Sequence, residues 1–440
     1  MRIALSILTL FAIAVAVALL AGNNQGTITL YWPPYRVDVS LNLVLLLMVS
    51  LFVVLHLALR ALAALFAIPA EARRWRLQHK ERAMHVALLD ALSHLIAGRF
   101  IRSRKAAEMV LVQEAALARG GDTLTYGARL RALSHLLAAE SAHALQNRES
   151  RDAHFQQALE QSARRDAQEV RDGVQLRAAR WALDDRDAPA ALRWLDNMPQ
   201  GAARRTVALR LRLKAARLAR QTLVALETAR LLSKHKAFSE AAGQSILRGL
   251  ALELLNATHD PAQLQKVWLQ LDPAERVSPE IATAAALRLL SLGGAVDVSR
   301  LWLLPVWELM VQAPEAAGGV TAGQRVRLIQ ALERGFAVAE GTPDAAWLSR
   351  IETAQLRSPG DAVLQYLAGI TCMHLQLWGK AQQLLKASLQ HLSDSALERS
   401  AWSALATLAE RRDDVAGATH AYRKAMNSGG TEHGQAATKS

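Results

Sequence analysis

Two uncharged apolar runs near the start constrain this chain more than any other feature. Ile3–Ala21 reads IALSILTLFAIAVAVALLA and Val39–Leu59 reads VSLNLVLLLMVSLFVVLHLAL. About 20 residues of helix cross a bilayer core of about 30 Å, so each run is long enough to span. The first run also has a signal-peptide reading, with Arg2 as a minimal basic start and LLAGN as a small-residue cleavage site. Its length favours a retained span. Both readings leave the C-terminal bulk on the cytoplasmic side, because basic residues crowd the far end of the second run and only Arg36 precedes it. The loop between the runs carries Tyr31, Trp32 and Tyr35, which suit a membrane interface, and Pro33-Pro34, which demand a turn. A tight returning hairpin is expected there. Ala12/Ala16 and Ala14/Ala18 place small residues four apart on the first run, which permits close helix approach. His56 sits within a turn of the cytoplasmic end of the second run, close enough to reach headgroups.

The net charge of +13 is concentrated after the second run. Arg60, Arg73, Arg74, Arg76, Lys80 and Arg82 form a basic collar, and Arg99, Arg102, Arg104 and Lys105 extend it against Glu71, Glu81 and Asp90. Such a stretch attracts anionic lipid at roughly 1 kcal/mol per basic residue near the surface. Nucleic acid is the competing partner for so basic a chain, but no docking motif or stacking platform accompanies the charge.

From about Ala83 onward, Ala, Leu and Arg dominate and strand-like alternation is absent. Gly120-Gly121, Asp260-Pro261, Asp272-Pro273, Gly293-Gly294, Gly318-Gly319 and Pro359-Gly360 punctuate the pattern. The clearest unit begins at Asp361. Ala368 and Gly369 take the positions where two helices touch, Ala381 opens the second helix and Leu385 fills the large apolar position. A second unit follows, with Trp402, Leu405 and Ala406 on its first helix and Ala418, Tyr422 and Ala425 on its second. Weaker units fit near 132–165, 171–204 and 205–240. These positions resemble the tetratricopeptide repeat, in which helices cross closely only where side chains are small. The expected fold is all-α, an N-terminal transmembrane helical hairpin followed by a tetratricopeptide-like α-solenoid. Its expected parts are the hairpin at 1–60, a basic juxtamembrane region at 61–105, an N-terminal solenoid at 106–300, a linker at 301–323, C-terminal repeats at 324–430 and a disordered tail at 431–440.

No catalytic constellation accompanies this architecture. The chain lacks G-x-G-x-x-G, G-x-x-x-x-G-K-[ST], H-E-x-x-H and C-x-x-C-H. One cysteine rules out an intramolecular disulfide framework. Cys372 and His374 are haem-ligating types, but at i and i+2 they point about 200° apart on a helix, and Cys372 falls at an inward repeat position. Trp181, Trp194, Trp302, Trp307, Trp347, Trp378 and Trp402 read as inter-helix core. No catalytic, cofactor or metal site is expected.

The order of parts resembles the HemY family of proteobacterial inner-membrane proteins. Further resemblance lies in the Gly26–Ser40 passage into the second run, in Trp268 with LDPAERVSP at 271–279, in LWLLP at 301–305 and in WGKA at 378–381. The resemblance implies a non-enzymatic inner-membrane scaffold in late protohaem and porphyrin synthesis that binds proteins of that pathway, with a short periplasmic loop and a cytoplasmic body. It also leaves open a haem or porphyrin carrier with aromatic-lined pockets near Trp302 and Trp307, and an assembly factor for another envelope system such as cytochrome maturation. An unrelated flavin-dependent protoporphyrinogen oxidase shares the family's name, but this chain lacks its phosphate-binding glycines.

Overall fold

The computed structural model describes residues 26–120, 124–312, 319–338 and 345–428, with isolated positions 11, 14, 15 and 22 before them. The first apolar run therefore lies almost wholly outside the described residues, as does the 431–440 tail. The chain divides into two compact units, Met1–Val174 and Gln175–Ser440.

The loop expected as a simple return is a two-stranded antiparallel ribbon. Thr27–Trp32 pairs with Tyr35–Ser40 in a register that sets Trp32 opposite Tyr35. Its residues are largely β-branched or aromatic, the types that fit a pleated surface. Pro33-Pro34, joined by a cis peptide bond, occupies the tip. Ser40 ends the ribbon and caps the next helix, its Oγ accepting from the Leu43 N–H.

That helix, Leu41–Ile96, has 56 residues and is about 84 Å long at 1.5 Å per residue. Leu41–Ala63 is long and apolar enough to cross a membrane, and none of it is buried within the protein. The helix continues without a break into the first unit, so the collar is a stretch of the spanning helix itself.

Elsewhere in the first unit, Phe100–Arg119 and Gly127–Ala144 pack beside the end of this helix, and Arg148–Ser162 packs on Gly127–Ala144. Met84, Val110, Leu117 and Leu130 form one core cluster, and Ala91, Ala107 and Ala138 another. Small polar residues allow the same close approach. Buried Ser103 donates to the Ala91 carbonyl at 2.8 Å, and Ser141 donates to Ser103 at 3.0 Å. Arg131 pairs with the mostly buried Glu114. One turn along from Arg131, the Nδ1 atoms of His135 and His154 lie 3.1 Å apart, and His154 Nε2 is 3.7 Å from Glu108. Burial first, then His154 and Arg131, holds His135 down to about 4.

Every repeat unit read from the sequence is a helix pair here. The pairs are Gly127–Ala144 with Arg148–Ser162, Gln168–Asp184 with Ala188–Asp196, Thr206–Leu218 with Thr222–Lys234, Ala362–His374 with Trp378–Ser388, and Ser395–Glu410 with Val415–Asn427. Their turns share one construction. Gln146, Arg186, Arg220, Gln376 and Asp413 each sit at φ between 52° and 63°. The next N–H reaches back five residues, as in Asp187 to Ala182 at 2.7 Å and Leu377 to Cys372 at 2.9 Å. This satisfies the orphan carbonyls at the helix end and reverses the chain. Asn147, Asp187 and Asp414 then cap the second helix with their side chains.

The second unit also fills the gap between the repeats read from sequence. Pro279–Ser291 turns at Gly293, φ 76°, into Val296–Gln312. The expected linker at 301–323 therefore begins inside a helix, and Trp302, Leu303, Val306, Trp307 and Met310 are buried in the main core. Pro305 does not end this helix, because it and Leu301 lie on the exposed side. Pro305 has no N–H to give the Leu301 carbonyl, and on an exposed side water can take the place of that donor. The punctuation at Gly293-Gly294 is an inside turn of one more pair. Residues 313–318 of the expected linker lie outside the described residues.

The seams follow the small side chains. Ala368, Ala381, Leu405, Ala406, Ala418 and Ala425 are all buried, and Leu385 is fully so. A Cβ at Gly369 would come within 2.8 Å of Leu385 Cγ and 3.3 Å of its backbone nitrogen. Tyr422 departs from the expected packing and is 40% exposed.

Two predictions follow from this packing. Gly369→Val forces the seam against Leu385 apart and should lower stability by about 1–3 kcal/mol, read by urea unfolding in detergent; unchanged unfolding would contradict the seam. The His135 effect has a definite sign. Above about pH 6.5 both states hold this imidazole neutral. From there down to about 4 the unfolded chain takes a proton that the folded chain refuses, so stability falls with pH. The drop is at most about 3 kcal/mol, and less for a side chain partly open to solvent. In urea titrations at pH 7 and pH 4.5, His135→Gln should lose less stability than the parent; an equal loss would refute the effect.

Candidate interaction surfaces

The collar residues are distributed along one helix. Arg60, Arg76, Lys80 and Arg82 are exposed, whereas the side chains of Arg73 and Arg74 lie outside the described ones. Counting from Ala63, Arg76, Lys80 and Arg82 stand about 20, 26 and 29 Å farther along the axis. The Debye length is about 8–10 Å at physiological salt. For an upright helix Arg60 lies within range of headgroup charge, and Arg76, Lys80 and Arg82 stand farther out, where Trp75 stacks on His79 at 5.5 Å.

The tryptophans of the second unit hold helices together. Trp268 stacks on Trp302 at 4.5 Å, and Trp307 meets Trp347 edge-on at 5.8 Å. All four are at most 7% exposed. Beside Trp307, helices Val296–Gln312 and Ala345–Arg357 leave a cleft of about 250 Å³ lined by Ser349, Arg350, Thr353 and Arg357. Glu308 supplies the one carboxylate in that lining. Arg350 also lies over the Trp347 ring at 5.7 Å. The cleft offers two guanidinium groups and an aromatic wall, features suited to a small anion.

Cys372 is 1% exposed, and burial raises its thiol. Burial also lowers the His374 imidazole, whose ring sits 6.2 Å from Phe336. The pair makes packing contacts in separate directions, as the helical spacing required. Among the described residues no cluster of three metal-ligating side chains occurs.

Two buried polar arrangements escaped the sequence reading. One is the His135–His154 pair. In the other, the fully buried Tyr366 points its hydroxyl toward Glu333 and Ser400 without a hydrogen bond of good geometry. Burial pushes the Glu333 carboxyl up, and Tyr366 partly offsets this. Each partner sits on a different helix, so no local spacing announces either arrangement. Arg300, 7% exposed, pairs with Asp297 at 3.7 Å and lies 5.1 Å over the Phe336 ring.

No curated protein matches the chain. Solved structures that overlap it include the APC/C hetero-tetramer Cut9-Hcn1, at 13% identity over 80% of this chain and 67% of that one, with a TM-score of 0.27. The P58(IPK) TPR domain overlaps at 14% identity over 75% of this chain and 99% of that one, with a TM-score of 0.21. Overlaps at such scores fix no architecture, and the helix pairs described above stand on their own packing. Residues 26–146, from the ribbon through the turn after Gly127–Ala144, match the family model described as HemY protein N-terminus. Over this segment the chain is similar to the N-terminal part of the HemY family.

Proposed function

We propose that this protein is a non-enzymatic scaffold of a bacterial inner membrane, acting in late protohaem and porphyrin biosynthesis by gathering the enzymes of that pathway. The observation that carries the reading is the direct continuity of a helix long and apolar enough to cross a membrane with the helices that pack around its far end. Such arrays bind partners over extended surfaces rather than in a single reactive pocket. Holding porphyrin-handling enzymes at the membrane limits escape of poorly soluble intermediates. In this reading both apolar runs are spans, the ribbon is a short periplasmic loop, and the body lies in the cytoplasm beside anionic lipid.

A haem or porphyrin carrier is the second reading, and the cleft beside Trp307, with Arg350 and Arg357, is what favours it. Its volume of about 250 Å³ falls below the roughly 300–1,000 Å³ usual for ligand sites. A tetrapyrrole would have to lie largely outside it, so the scaffold reading is preferred.

Chemical cross-linking in native membranes, followed by identification of captured proteins, tests the proposal. The scaffold reading expects late haem enzymes among the adducts. Their absence, together with a saturable Soret shift when the purified protein is titrated with haem, would replace it with the carrier.

A further inference from the structure

The ribbon that precedes the long helix sorts its side chains by face. Partners across an antiparallel pair stand on the same side. Ile28 faces Val39, Leu30 faces Val37 and Trp32 faces Tyr35, so one face is wholly apolar or aromatic. On the other, Thr27 faces Ser40, Thr29 faces Asp38 and Tyr31 faces Arg36. There Arg36 and Asp38 pair at 3.5 Å. The apolar face is open: Leu30 is 57% exposed, Trp32 75%, Tyr35 71% and Val37 53%. A lone two-stranded ribbon is marginally stable in water and needs such a face covered.

The cover follows from where the ribbon is rooted. Ser40 ends the ribbon and caps the helix, and the Leu41 N–H donates to the Gly26 carbonyl at 2.8 Å, so no slack linker intervenes. The apolar stretch Leu41–Ala63 begins at the very next residue. With that stretch as a span, the bilayer surface lies at the foot of the ribbon. Standing upright, six residues per strand would reach about 20 Å from that surface. The headgroup layer is only about 5–8 Å thick, so Trp32 and Tyr35 would be left in water. Lying flat, the ribbon sets its apolar face on the membrane interface, where Trp and Tyr rings are favoured. Each strand has one outer edge of unpaired N–H and C=O groups, which water and headgroups satisfy and hydrocarbon does not. The resting depth is therefore the headgroup layer. Ile3–Ala21, in the same reading, is used up in crossing a core of about 30 Å.

We propose that the Leu30–Trp32–Tyr35–Val37 face binds the lipid interface, at the end of the span away from the helical body, and fixes the depth of the span. The inference rests on the reading of Leu41–Ala63 as a span, and not on the scaffold or haem assignment.

The test uses the full chain in vesicles of phosphatidylethanolamine and phosphatidylglycerol. Single cysteines carry an environment-sensitive fluorophore at Leu30→Cys or Val37→Cys on the apolar face, and at Thr29→Cys or Asp38→Cys on the polar one. The background is Cys372→Ser, or the parent with its buried thiol should that variant misfold. Labels at 30 and 37 should be quenched several-fold more strongly by lipid bearing a nitroxide near the headgroup than by one bearing it deep in the chain. They should also be shielded from aqueous iodide, whereas labels at 29 and 38 stay open to it. Equal access of iodide to both faces would overturn the proposal. Shielding without quenching by lipid would overturn it as well, since another part of the chain or a second copy would then be the cover. A label at Val49→Cys separates the two readings. Strong quenching there by the deep nitroxide, with failure at 30 and 37, removes the ribbon's docking alone; no quenching there removes the span as well.

Discussion

Helices stack into an array only where their backbones come close, and that closeness depends on what the seam leaves out. At Gly369 there is no room for even one carbon beside Leu385. Ala381, Ala406 and Ala418 repeat the condition in softer form. Ser103 and Ser141 reach it in the first unit with hydroxyls that find partners inside the seam. Large apolar residues then occupy the space between neighbouring pairs. The turns serve the same end: a single residue in the left-handed region closes one helix, and in three of the five pairs the next side chain caps the other. Long polar residues such as Arg186 and Gln376 hold that strained position, which indicates that pairing outweighs the local cost of about 1–2 kcal/mol.

The second constraint is the helix that leaves the apolar stretch Leu41–Ala63 and does not stop. Its later turns supply Met84 and Ala91 to the core of the first unit. One element thus shares its length between a greasy surround and a packed body. Its basic charges Arg60, Arg76, Lys80 and Arg82 are spread along about 33 Å of that one helix.

How much of this was legible in the sequence follows from the range of each interaction. The helical class and the five helix pairs were readable because their signals are local: small residues at fixed spacing, a capping Asp or Asn, an apolar period. The ribbon was missed because Pro33-Pro34 drew attention to the turn and away from the alternating residues on either side. The 301–323 segment is misread because Pro305 and the nearby glycines look like breaks, whereas Pro305 stands on the exposed side of a helix that continues to Gln312. Tyr422 fits the repeat pattern and yet stands in solvent, since no described helix follows to cover it. The His135–His154 and Glu333–Tyr366 pairs join separate helices, and only the packed structure brings them together.

In the proposed scaffold reading the helical body acts as a grip only while it is moored. The most direct measurement is porphyrin excretion by cells whose only copy lacks residues 1–63, with the freed body present at its normal level. The account predicts excretion as high as in cells without the protein. Excretion as low as in cells with the intact chain would contradict it.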